Sequence, residues 1–194
     1  MLRGRRRGGG LARRGGGLGL GAGTPAAAEE RIGTRFKMRQ RFFTIGDRFF
    51  IENERGERAF RVESRVLRIR TTLKFQDMQG NDIYTIQEKI ARIRDTMNIT
   101  DAGSNTVARV HNALITPLRD RWNISVPGGQ NLVARGNILH HEYKILRGGQ
   151  PVASISKRWF RLRDTYGVEV RDGEDALLLL AITVVVDMMA HAGR

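Results

Sequence analysis

The chain has no cysteine among its 194 residues. Disulfides, thiol nucleophiles and thiolate metal sites are therefore excluded. Histidine is scarce, with four in all, and none stand at metal-ligand spacing. No nucleophile elbow, Walker loop, HExxH or zinc spacing occurs. The GGG runs near the start are not phosphate loops, because no strand and helix flank them. With no catalytic set visible, the chain reads as a non-enzyme that needs no metal or cofactor. Acidic residues are also few. Asp and Glu number 20 against 34 Lys and Arg, a formal charge of +14 that suggests an anionic partner or surface. Long hydrophobic runs are missing as well. The longest, Ala176 to Val186, has eleven residues before Asp187 interrupts it. A transmembrane helix needs about 20, so no span is expected.

That run is the strongest feature present. It holds no charge and one polar residue, Thr183, so it is apolar all round and must be enclosed on every side. Ile182 and Val184 to Val186 are β-branched, which suits a strand. But the segment from Asp172 to His191 runs past fifteen residues without a turn signal, and most strands are under about ten. Asp172 is suited to cap a helix, Glu174 and Asp175 would put negative charge on its first turn, and Gly193 would follow its end. A buried helix is predicted, about 25 Å long at 1.5 Å per residue.

The rest of the chain divides in two. Residues 1–35 form an Arg/Gly-rich tail with almost no large apolar side chains, expected to be disordered. Residues 1–37 carry nine basic and two acidic residues, half the chain's net charge. Met38 stands where the folded domain, residues 36–194, is expected to open, so 1–37 are read as an over-long start or a dispensable tail. An Arg/Gly arm of this kind also suits phosphate contacts to nucleic acid, or an anionic membrane. A twin-arginine export signal is the weaker reading, since its core would be mostly glycine.

From residue 36 the chain repeats. Six segments place an apolar residue, a basic or small one and then usually Asp before an aromatic-apolar strand, with second residues at 46, 70, 94, 119, 140 and 163. Nine or ten residues later comes a turn glycine: Gly56, Gly80, Gly103, Gly129, Gly149 and Gly173. A fixed offset from strand to turn means a hairpin. Alternating strands return after five of the six glycines, and the apolar helix follows the last. One further strand near Phe36–Phe43 brings the total to twelve. The predicted fold is mainly β, a closed antiparallel barrel of about twelve strands around the C-terminal helix, since closure removes exposed edges and a barrel that wide leaves a lumen to fill. The repeated Asp47, Asp95, Asp120 and Asp164 read as bend-formers at strand starts rather than metal ligands, with Thr71 and His141 in their place in two repeats.

The stretches FTIGDRFFIENERGERAFRV, LRIRTTLKFQDMQGNDIYTI, ISKRWFRLRDTYGVEV and GEDALLLLAITVVVD together resemble the LURP-one-related family. That family sits in the tubby C-terminal-domain-like superfamily with the phospholipid scramblases. The resemblance covers about residues 36–191. It implies a twelve-stranded barrel around a hydrophobic helix and little about chemistry. Tubby relatives bind phosphoinositides through basic residues that have no one-to-one match here.

His140 and His141 are neighbours on an expected strand, so they face opposite ways and cannot chelate one ion. His191 is read as complementing the helix dipole. The best candidate surface is basic. Arg68 and Arg70 flank Ile69, Arg92 and Arg94 flank Ile93, and Arg161 and Arg163 flank Leu162. If the apolar residue faces inward, both arginines face out. Lys157 and Arg158 beside Trp159 and Phe160 add a basic-aromatic cluster. These eight cations are the candidate anionic-ligand site. The expected function is a non-enzymatic scaffold or binding protein, cytoplasmic and peripheral to the membrane, with anionic lipid head groups or a protein as partner. Nucleic-acid binding through the N-terminal arm is the alternative.

Overall fold

A computed structural model describes residues 33–39, 47–67, 70–89, 96–112, 120–160 and 165–191. Residues 1–32, the bulk of the expected tail, lie outside the described residues. So do Asp95, Asp164 and Gly193 and, of the candidate cations, Arg68, Arg92, Arg94, Arg161, Arg163 and the side chain of Arg70.

Among the described residues twelve strands precede one helix. They are β1 (Gly33–Arg39), β2 (Arg48–Glu52), β3 (Arg58–Leu67), β4 (Arg70–Gln76), β5 (Asp82–Lys89) and β6 (Thr96–Asp101), then β7 (Thr106–Asn112), β8 (Asp120–Ser125), β9 (Leu132–Asn137), β10 (Glu142–Arg147), β11 (Gln150–Ser156) and β12 (Thr165–Arg171). The helix α1 spans Ala176–His191. From β2 to β12 each strand pairs antiparallel with the next, and β1 joins β12 to β2, closing the barrel. Closure pairs every strand on both sides, which is why no edge remains.

The sequence alternation appears as alternating burial. Phe49 and Ile51, Leu73 and Phe75, Met97 and Ile99, and Trp122 and Ile124 are buried, and the residues between them are more exposed. The inward side chains meet α1, in which every residue from Leu179 to Met188 is buried. An element covered on all sides next to a closed wall fills the lumen. Sixteen residues make about 24 Å of helix, and seven-residue strands are about 23 Å long, so rod and wall match in length. Bulk is matched locally too. Trp122 points inward on β8, opposite Ala134 on β9.

Four details differ from the sequence reading. First, β1 starts at Gly33 and pairs with β12 along its whole length, with Phe36 and Met38 in the core. Residues 33–37 are therefore barrel wall and not a dispensable tail. Second, the helix cap is Asp175, whose Oδ1 accepts from Leu178 N at 3.0 Å. Asp172 still lies in the turn leaving β12, and Glu174 pairs with Arg147 and not with the helix end. Third, Gly103 and Gly129 lie in the third and fourth turns as expected, but the left-handed position in each is taken by a neighbour, Ser104 and Gly128. Fourth, residues 138–141 form a turn, not a strand, and His141 adopts φ +53° there.

Candidate functional site

Two polar arrangements stand out, one inside the barrel and one outside. The inner one lies near the C-terminal end of α1. Asp187 is the only charged residue among the helix positions buried on all sides. The β9–β10 turn aims His141 inward, and His141 is 0% exposed. Its Nε2 lies 2.6 Å from Asp187 Oδ1. One helical turn on, His191 Nδ1 donates to Asp187 O at 2.8 Å and stands 3.3 Å from Oδ1. A carbonyl oxygen cannot donate, so the His191 proton sits on Nδ1. Tyr166 Oη donates to Asp187 Oδ2 at 3.4 Å, and the His141 ring lies tilted against that of Tyr166 with centroids 4.2 Å apart.

Burial alone would raise the Asp187 pKa strongly. The hydrogen bonds and charge of His141 and His191 outweigh it and hold the carboxyl below its usual range. The carboxylate is thus ionised near neutrality, which makes His141 Nε2 the donor. Burial, and then the Asp187 charge, push the hydroxyls of Tyr143 and Tyr166 well above the usual tyrosine range. Tyr143 Oη and His141 Nδ1 have no hydrogen-bond partner among the described residues. The cluster joins helix to wall from three elements: β12, α1 and the β9–β10 turn. His141, Asp187 and Tyr166 are closed to solvent and His191 is mostly buried at the rim, so the cluster's chemistry is that of a fastener. Among the described residues no group of three or more His, Asp or Glu is placed to hold a metal ion.

The reading of His141 as an ordinary strand histidine and of His191 as a dipole partner missed this cluster. Each was read from its sequence neighbours, and Asp187 lies 46 residues from His141.

The outer arrangement follows β11. Ser156 Oγ donates to both oxygens of Glu142, and Lys157 N donates to Glu142 Oε1 at 3.1 Å. Arg158 N donates to Ser156 Oγ at 3.1 Å. These bonds fix the turn that carries Trp159 and Phe160 back over the barrel. Both rings lie on Gly167 of β12. A Cβ there would meet Trp159 Cε3 at 2.5 Å and Phe160 Cε2 at 2.9 Å. The glycine is what lets them settle, and β12 is consequently buried on both faces. Arg35 of β1 stacks its guanidinium 4.6 Å from the Trp159 ring and bonds Glu169 Oε1 through Nε at 3.2 Å. The Arg158 side chain is 77% exposed and 3.8 Å from Glu142. Lys157 and Arg158 are thus gathered with the aromatics, and Arg35, which the sequence reading did not select, joins them.

Fold and inner cluster together define a class: a closed antiparallel barrel filled by one hydrophobic helix. The chain belongs to the LURP-one-related family, whose sequence pattern matches residues 34–187. It is also similar to Uncharacterized protein YxjI of Bacillus subtilis (strain 168), with 30% identity over 66 residues, 34% of this chain and 41% of that protein. The match thus spans less than half of the relative's length. Neither the family description nor the relative indicates a catalytic activity. Among the described residues no helix is long and apolar enough to cross a membrane.

Proposed function

We propose that the protein is a non-enzymatic binding barrel that docks on anionic phospholipid surfaces from the cytoplasmic side, through the turn at Lys157–Phe160. The lumen is occupied by α1, which leaves the outer face for a ligand. The observation that carries the reading is the meeting of Arg35, Trp159 and the exposed Arg158 at one corner. Tryptophan with flanking cations suits the boundary between head groups and water. Each basic residue near an anionic leaflet contributes about 1 kcal/mol.

Co-sedimentation with phosphatidylcholine vesicles, with and without phosphatidylserine, tests the reading. Wild type should pellet only with the anionic vesicles. Arg158→Ala should weaken binding about five-fold, the equivalent of about 1 kcal/mol, and Trp159→Ala should weaken it further. Equal pelleting with neutral and anionic lipid would sink the proposal. Removing residues 1–32 separates it from nucleic-acid binding by the arm, since only polyanion binding that rests on the arm would be lost.

A further inference from the structure

Across the β1–β5 wall, outward cations meet acids. Lys37 lies opposite Glu52, 2.8 Å away. Arg48 lies opposite Glu63, and Arg65 reaches the same carboxylate at 3.0 Å. Lys74 pairs with Asp82 at 2.8 Å. Each of these four cations is neutralised where it stands.

The β8–β10 wall is built differently. Its register sets Arg121 opposite Arg135, and Arg135 opposite Lys144. All three are exposed. None has an ion-pair or hydrogen-bond partner among the described residues. Neighbouring strands are about 4.8 Å apart, so three cations stand in a row about 10 Å long. Like charges directly opposite destabilise a sheet. The nearest described carboxylate along β10, Glu142, is taken up by Ser156 and the Lys157 amide. Next along the strands come Asn123, Val133 and Leu146, which bring no charge. The row also runs toward the aromatic corner, because Lys144 faces Ser154, which faces Glu169, the partner of Arg35.

We infer that Arg121, Arg135 and Lys144 form a binding strip for phosphate groups, centred on Arg135. A guanidinium offers two parallel donors to phosphate oxygens. A phosphate on Arg135 is within reach of a cation on either side and relieves the repulsion along the row. The inference deepens the reading above, resting on its premise of an anionic ligand outside the barrel, and names the chemical group and the strands that hold it.

The test is thermal unfolding of the full chain in low-salt buffer, with sodium tripolyphosphate against sodium chloride at equal ionic strength. Arg135→Gln is compared with Arg109→Gln, which removes the same charge from an exposed β7 position off the strip. Wild type and Arg109→Gln should gain melting temperature from tripolyphosphate beyond the chloride effect. Arg135→Gln should need at least ten times more tripolyphosphate for the same gain, and without anion should melt no lower than wild type. Equal responses of the two variants, or a lower melting point for Arg135→Gln without anion, would overturn the strip.

Vesicles containing phosphatidic acid identify the source of the phosphate. If they bind wild type but not Arg135→Gln, the strip stands with lipid as the source. An Arg135-dependent tripolyphosphate response with no vesicle binding keeps the strip with a soluble phosphate and removes the membrane reading. Vesicle binding that depends on Trp159 and not on Arg135 keeps the membrane reading and removes the strip.

Discussion

Breaking the buried fastener should be costly from one side and much less so from both. In His141→Leu, Asp187 stays buried and keeps only His191 and the long Tyr166 bond. Removing one partner of a buried charge pair costs about 3–5 kcal/mol. In Asp187→Leu, His141 and Tyr166 lose their acceptor, and each such stranded group costs about 1–3 kcal/mol. The double variant removes the charge with its main partner and leaves mainly Tyr166 without an acceptor. It should lose only about 1–3 kcal/mol, so the two single costs should exceed the double by at least about 2 kcal/mol. Urea unfolding followed by tryptophan fluorescence reads this, since Trp122 is buried in the core. At slopes of about 1–3 kcal/mol per molar, the His141→Leu midpoint should fall by one to several molar. The pH dependence carries a sign. The folded pKa of Asp187 lies below its unfolded value, so the contribution is full above about pH 4 and is lost as pH falls through the folded pKa. Asp187→Leu should lose stability less steeply than wild type across that acid window. A single-variant cost below about 1 kcal/mol, or single costs that simply add, would refute the argument.

Three further outcomes are expected. Removing residues 1–32 should leave the melting temperature within error. Removing 1–37 should lower it sharply or prevent folding, because Phe36 and the Arg35–Glu169 pair go with the pairing of β1; calorimetry of the two truncations decides. Gly136→Ala should cost more than about 1 kcal/mol in urea unfolding, because Gly136 has φ +143° and its Cβ would lie 2.6 Å from Glu142 O. Asp175→Ala should cost about 1 kcal/mol by loss of the helix cap, with faster amide exchange confined to the first turn of α1.

Much of this molecule is legible along the chain. The described turns after β2, β4, β6, β8 and β10 each close within a few residues, so the spacing of Gly56, Gly80 and Gly149 from their strands is enough to count the strands. The apolar run from Ala176 to Val186 declares its burial by having no polar face. The start of the helix is less legible. Asp172, Glu174 and Asp175 are each able to cap, and only the path of the chain out of β12 selects Asp175. His141 escaped for another reason. Its turn is local, but its partner arrives from α1, and no sequence spacing encodes that meeting. Tyr143, two residues on, is also buried inward, so strand parity could have placed both on the lumen side. Alternation likewise turns Arg121 and Arg135 outward, while their opposition depends on the register set by the turn between β8 and β9.

The sequence alone determined the strand count, the hairpin order and the enclosed helix, because these follow from periodicity and turn chemistry acting over about ten residues or fewer. The tertiary structure decided which charges are answered and which are not: Asp187 by two histidines, Glu63 by two arginines, and Arg135 by cations on both sides. Charge pairing depends on distance in space, and closing the barrel sets those distances between residues that the chain keeps far apart.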